Sequence, residues 1–156
     1  MILTTTSRNP GIATRKVARR LSELVPYSLY TPRGVRNIEK LVALARKKGY
    51  RRICIVNEKK KKPAEMAFII VDAKAWDWHS KVLKIKNVEI DKEYAKERID
   101  EIKVEGADVD KKQIVEMFDI EEFADEDAED VGVLKAAKDE LVFYYNDVKI
   151  MCIKVI

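Results

Sequence analysis

Apolar and polar positions repeat with two periods along this chain, and the first ninety residues switch between them several times. Ile2 to Thr6 is short, apolar and β-branched, which predicts a strand, and Arg8-Asn9-Pro10-Gly11 breaks it. Asn9 followed by Pro10 predicts a helix start with Asn9 as the N-cap. Ala13, Val17, Leu21 and Leu24 then share one helical stripe, Arg15, Lys16, Arg19 and Arg20 fall off it, and Pro26 ends the helix. Ser28 to Thr31 reads as a second short strand, closed by Pro32-Arg33-Gly34. In the next helix Ile38, Leu41, Val42 and Ala45 face inward. Its last turn, Arg46-Lys47-Lys48, complements the negative end of the helix dipole, and Gly49 stops it. Arg52 to Asn57 predicts a buried strand, Lys59 to Pro63 a basic turn, Glu65 to Asp72 the most apolar strand, and Ala73 to Ser80 a tip. Lys81 to Ile90 alternates, with Leu83 and Ile85 on one side and Lys84 and Lys86 on the other. The order β-α-β-α-β-β-β predicts an α/β fold with some parallel pairing.

The second half is patterned less sharply. Asp91 to Ile102 reads as helical on Ala95, Ile99 and Ile102, and Asp110 as the cap of a helix through Met117 and Phe118. Asp119 to Asp130 holds eight acids and no base, with a helix following through Lys138. Leu141 to Tyr145 and Val148 to Ile156 predict strands around a tight Asn146-Asp147 hairpin. Each half ends in strands, as a distant duplication would, although no residue-level repeat is convincing.

Charge changes this picture most. Residues 1 to 62 carry 17 Lys+Arg against Glu23, Glu39 and Glu58, a balance of +14, while residues 63 to 156 carry 14 Lys+Arg against 24 acids, a balance of −10. A concentrated positive field is the footprint of a protein that binds phosphate backbones, and the acidic remainder argues for one working face. The length of 156 residues predicts one domain. A charged fraction of 37% and a single Gln, Gln113, resemble proteins from hot environments. With no basic leader and a longest apolar run of six residues, Met66 to Val71, the expectation is a soluble cytoplasmic chain.

Candidate chemistry narrows accordingly. Cys54 and Cys152 lie in apolar runs and read as buried, reduced thiols, and with one His they cannot assemble an ordinary zinc site. No phosphate-binding glycine loop or nucleophile elbow occurs, and Ser7, Ser22, Ser28 and Ser80 have no triad context, so nothing points to catalysis, a metal or a cofactor. Arg8 beside a helix start, with Arg15, Lys16, Arg19 and Arg20 ridged at one-turn spacing, suits an anion at the helix N-terminus and phosphates along its face. A merely solvated face usually mixes signs, and this one has no acid before Glu23. Arg33, Arg36 and Lys40 lie at the start of their helix, where positive charge opposes the dipole. Arg46 to Lys48 are explained by the dipole alone, and Arg51 and Arg52 follow. Lys59, Lys60, Lys61 and Lys62 are either strand-edge protection or a phosphate grip. Trp76 and Trp78 share a side in an extended segment, with His79 opposite. Packing under the sheet or against a partner is the simpler account and stacking on unpaired bases the functional one. The acidic run lacks the spacing and glycine of a calcium loop. It reads as solvated surface, as a dock for basic proteins, or as an internal mimic that screens the basic face.

Thr5-Thr6-Ser7-Arg8-Asn9-Pro10 resembles the TTSRxP opening of Brix-domain ribosome-biogenesis proteins, and Pro32 to Leu41 resembles that family's RG…L signature. The resemblance is carried by residues 1 to 90, and the compact length is similar to the archaeal single-domain members. It implies a single Brix-like domain over 1–156, with a basic first half over about 1–90 and an acidic second half over about 91–156. It further implies an α/β fold with a mixed sheet and two similar halves, related to the anticodon-binding domain of class II tRNA synthetases. The implied function is non-catalytic binding of precursor ribosomal RNA during subunit assembly, alongside ribosomal or assembly proteins. Carried onto this chain, it marks Arg8, Arg15, Arg33 and Arg36 as RNA contacts, and the lysine turn is added from the residues alone. A protein–protein adaptor with two oppositely charged faces and a tRNA-binding accessory domain are the rival expectations.

Overall fold

A strand whose neighbours run the same way needs a crossover each time the chain returns, and the two amphipathic stretches of the first half supply them. β1 (Leu3–Thr6) lies between β2 (Leu29–Tyr30) and β3 (Arg52–Lys59), parallel to both, with α1 (Ile12–Leu24) and α2 (Ile38–Lys48) as the crossovers. β4 (Lys62–Val71) returns antiparallel beside β3, and both β5 (Trp76–Trp78) and β6 (Leu83–Ile90) pair antiparallel with β4. The second half comprises β7 (Ile102–Gly106), α3 (Asp108–Met117), β8 (Gly132–Ala136), β9 (Glu140–Tyr145) and β10 (Val148–Val155). The structure, a computed structural model, describes residues 1–91, 98–122 and 131–156.

The strand order β2-β1-β3-β4-β6-β10-β9-β8-β7 carries an internal repeat. β1 is parallel to β3, and β3, β4 and β6 then alternate. β7 is parallel to β8, and β8, β9 and β10 then alternate. The halves join where β6 meets β10 antiparallel, so the fold is α/β with a mixed sheet and two similar halves, as expected.

Alternation along the strands decides which helix covers which face. Ile2, Cys54, Val56, Met66 and Phe68 pack under Val17, Ala18, Leu21 and Leu24 of α1, and this core runs unbroken into Ile114, Met117, Phe118, Leu134 and Phe143 of the second half. Leu3, Ile53, Ile55 and Ile69 face the other way and pack under Leu41, Val42 and Ala45 of α2. Phe68 and Phe118 meet edge-to-face at the seam, with centroids 5.0 Å apart. Thr4 ties β1 to α1 by donating its hydroxyl to the Ala18 carbonyl at 2.8 Å. Across the seam Arg51 pairs with Asp119 at 2.8 Å, and Arg52 donates to the Glu116 carbonyl at 3.1 Å. The acidic run thus begins by partnering the first half.

Several sequence expectations are corrected. Asn9 sits at φ 53° and does not cap α1. Gly11 holds the N-cap position. Ala13 is exposed, and the buried stripe runs through Thr14, Val17, Ala18 and Leu21 instead. The tip after β4 contains a strand, β5, because Trp76 and Trp78 pair with Val71 and Ile69. Ile102 begins a strand and ends no helix, since it pairs with Gly132 and is buried in the core. The expected helix over 92–97 and the stretch 123–130 of the acidic run lie outside the described residues. Asp110 falls in the first turn of α3, with Ala107 at the N-cap. The helix expected to reach Lys138 is replaced by β8, whose Leu134 and Ala136 alternate into the core. Cys54 and Cys152 are buried as expected, and burial raises the pKa of the Cys54 thiol.

Candidate nucleic-acid interface

Because β1, β2 and β3 are parallel, their C-terminal ends open onto one edge of the sheet, and the loops leaving them carry most of the predicted cations. Arg8 follows β1, Arg33 and Arg36 follow β2, and Lys59 to Lys62 form the β3–β4 hairpin. Lys59 and Lys62 are paired strand residues rather than part of a turn. The turn is Lys60-Lys61 alone, with φ of 52° and 62°. Two-residue hairpins of this kind need positive φ at both positions, which Asn, Asp and Gly adopt most readily, so lysines here sit against their backbone preference. The loop residues are braced. Arg33 donates from Nε to the Arg36 carbonyl at 2.8 Å and from a terminal nitrogen to the Thr6 carbonyl at 3.2 Å, and Arg36 donates to the Pro32 carbonyl at 2.9 Å. Burial, and then the charge of neighbouring Arg8, pushes the Arg33 pKa below its usual value. The two guanidiniums repel each other, and an anion between them would relieve that repulsion.

The α1 N-terminus is not the free anion site that the sequence suggests. Glu58 Oε2 accepts the Gly11 N–H at 2.7 Å and the Thr14 hydroxyl at 2.6 Å, while the Glu58 N–H donates to the Ser7 hydroxyl at 3.1 Å. The Thr14 bond, the Gly11 bond and the charge of Lys61 hold this carboxyl below the usual carboxylate range. The basic stretch has only two other acids: Glu23 pairs with Arg20 at 2.6 Å, and Glu39 lies in the first turn of α2. Glu23 is thus paired within its own helix, and Glu39 lies on α2, across the sheet from α1, so the edge remains positive.

From this edge α1 carries the tract along its outer face. Arg15, Lys16 and Arg19 are exposed, and the Arg19 guanidinium sits 5.2 Å from the Tyr30 ring centroid. A groove of about 830 Å³ separates α1 from β6, lined by Lys16, Arg19, Arg20, Lys62 and Lys86, by the apolar Val17 and Val88, and by two acids, Glu23 and Asp91. Lys62 belongs both to the groove and to the hairpin, which makes the two regions continuous. Simple alternation groups Lys86 with Lys84. However, the β6–β10 register shifts at this point and passes over Lys86, which lines the groove, while Lys84 pairs with Glu65 at 3.1 Å. Ile12 and Val35, 68% and 88% exposed, are large apolar residues at the cationic edge that charge counting does not find.

Other candidates separate from this tract. Lys40 is exposed in the first turn of α2, on the opposite face of the sheet from α1, and its N–H is capped by the Asn37 carboxamide at 2.9 Å. Arg46 is turned to the Asp72 carbonyl at 2.9 Å, and Arg51 and Arg52 serve the seam. Trp76 packs at the edge of the α2 core, 6.3 Å from the more exposed Trp78, and His79 is 3.3 Å from Glu116 of α3. Among the described residues no group of acids, Cys and His is placed to hold a metal, and no helix is long and apolar enough to cross a membrane.

No protein-family model matches the chain. Over 78 residues, half of this chain, it is 40% identical to a Thermococcus kodakarensis protein named "Probable Brix domain-containing ribosomal biogenesis protein". It is 38% identical over the same length to proteins of that name from Pyrococcus horikoshii and Pyrococcus furiosus. The matches cover 38%, 35% and 35% of those proteins, so the likeness spans little more than a third of their length. The resemblance to Brix-domain ribosome-biogenesis proteins therefore holds against curated homologues. Two solved structures share the fold over 99% of the chain. One is a probable ribosomal biogenesis protein from Aeropyrum pernix, with TM-score 0.80, 23% identity and 94% of that chain covered. The other is Mil, an archaeal Imp4-like protein, with TM-score 0.73, 18% identity and 96% covered.

Proposed function

We propose that this chain is a ribosome-assembly factor that holds precursor ribosomal RNA against the cationic edge and α1 face of its first half, by binding and without catalysis. The observation that carries the reading is the convergence of Arg8, Arg33, Arg36 and the Lys60-Lys61 turn at one sheet edge, where Glu58, the acid beside them, is spent on capping α1. The names of the homologues supply the ribosomal context. Lysine and arginine that neutralise phosphates release counterions, so affinity falls with salt in proportion to the contacts made. The test is the salt dependence of binding to a precursor ribosomal RNA transcript. Arg15→Ala with Lys16→Ala, two exposed positions, should lower the slope of log K against log salt by about 1.5. An unchanged slope in the folded variant removes the α1 face from the interface. Competition with tRNA addresses the tRNA-binding rival.

The adaptor reading has one observation of its own. A cleft of about 650 Å³ at the seam is lined by Asp100, Glu101, Asp119, Glu121 and Glu122. Partners that survive nuclease treatment of a complex purified from cells would favour it over RNA-mediated association.

A further inference from the structure

The two halves differ in what covers the outer face of their sheet. In the first half α2 lies on Leu3, Ile53, Ile55 and Ile69. In the second half the helix, α3, packs into the shared core on the other side, and no described helix covers the outer face of β7 to β10. Register places Lys103 of β7 beside Val133 of β8, Val133 beside Tyr144 of β9, and Tyr144 beside Lys149 of β10. These four residues form one row across four strands, about 14 Å from lysine to lysine. Lys135, in the next row, brings its Nζ to 5.0 Å from the Tyr144 ring centroid.

We propose that this face is a second RNA contact, taking an unpaired nucleotide base on the Tyr144 ring with the adjoining phosphates on Lys103, Lys135 and Lys149. The proposal rests on the reading that the chain binds RNA, and extends it to the half whose net charge is negative. Three facts support it. Lys103, Lys135 and Lys149 are exposed and pair with no carboxylate among the described residues, although Glu105 stands opposite Lys135 across β7 and β8. The row itself contains no acid, although the next row on the same face carries Glu105 and Glu89 at its two ends, beside Lys135 and Cys152. Tyr144 is half-buried, so its ring is held on the sheet and yet accessible. A sheet face bearing an aromatic among cations is the arrangement on which RNA-recognition modules stack bases. The contact of Lys135 with the ring is weak at an exposed site and yields to a stacked base, leaving the ammonium free for a phosphate.

The test is fluorescence anisotropy with a labelled uridine 12-mer and the full chain. Tyr144→Ala should weaken binding about fivefold or more, and Tyr144→Phe, which keeps the ring, should bind as the parent does. Lys103→Gln with Lys149→Gln should lower the salt slope by about 1.4 without changing the fold, and this pair carries the test if Tyr144→Ala is unstable. The proposal is overturned if Tyr144→Ala and Lys103→Gln with Lys149→Gln bind as the parent does while Lys60→Gln with Lys61→Gln loses affinity, a result that leaves the first-half interface standing. If the parent chain binds neither the 12-mer nor ribosomal RNA, both readings fall together.

Discussion

The first turn of α1 and the first turn of α3 occupy equivalent places in the repeat, and the chain stabilises them in opposite ways. α3 follows β7 with Asp108 and Asp110 in its own first turn, the ordinary sequence-local answer to a positive helix terminus. α1 follows β1 with no acid in its first turn and borrows the carboxylate of Glu58 from β3. The neighbouring hairpins diverge likewise: β3 turns to β4 through Lys60-Lys61, and β8 turns to β9 through Ala137-Lys138-Asp139. The backbone plan is shared and the charge is not, so the cationic edge is a property laid on the fold rather than one the fold requires. By moving the acid that α1 needs onto another strand, the chain frees the helix itself to carry Arg15, Lys16, Arg19 and Arg20.

The halves differ in charge but share one continuous core, and the seam is where that core is most readily tested. Phe118 is fully buried against Phe68 in a core continuous across both halves. Phe118→Ala should cost about 3–5 kcal/mol and lower Tm by roughly 6–20 °C, in a single transition by calorimetry. Two resolved transitions would show that the halves fold independently, and the shared core would then contribute little to stability.

The hairpins sharpen the contrast at smaller cost. Asn146-Asp147 makes the β9–β10 turn with φ of 49° and 62°, nearly the conformation of Lys60-Lys61, using residues that tolerate it. Lys60→Asn with Lys61→Gly should therefore stabilise the domain by about 1 kcal/mol in denaturant titration. The same variant should bind ribosomal RNA more weakly, its salt slope falling by about 1.5. A gain in stability with unchanged binding would make the two lysines a surface accident. A loss of stability would mean that the turn is held by more than its backbone.

Local pattern carried the first half of the fold. The Val17, Leu21 and Leu24 part of the α1 stripe, the stop at Gly49 and the alternation of Leu83 and Ile85 are set within a few residues, and the strands before Trp76 lie where the periodicity puts them, except that β3 and β4 run on through Lys59 and Lys62 into the expected turn. The second half failed where pairing partners are distant. The strand starting at Ile102 is justified by Gly132, thirty positions along, and β8 by both β7 and β9. The cations of the site were legible as charge, but their grouping was not. That Arg51 and Arg52 bind the seam, while Lys86 joins Lys16 across a groove, depends on which strands become neighbours. The role of Glu58 was hidden for the same reason, since its partners Gly11 and Thr14 lie 47 and 44 positions away.

That carboxylate gives the smallest and most specific prediction. Its pKa is depressed in the folded protein, by the Thr14 hydroxyl first and the Gly11 N–H second, so the folded state favours the ionised form more than the unfolded chain does. The stabilisation is therefore fully present above the ordinary glutamate pKa of about 4.3, and is lost as pH falls through the lower folded value. Glu58→Gln keeps an oxygen for both donors but removes the charge at the helix N-terminus. It should be modestly less stable than the parent at pH 7, and the gap in Tm should close on acidification below about pH 4. No second acid stands in the first turn of α1 to compensate, whereas α3 has two, so the matching test in α3 is Asp108→Asn. There the loss should be smaller, because Asp110 remains in the same turn. Equal losses at the two helices would show that the borrowed carboxylate does no more for α1 than a local acid does for α3.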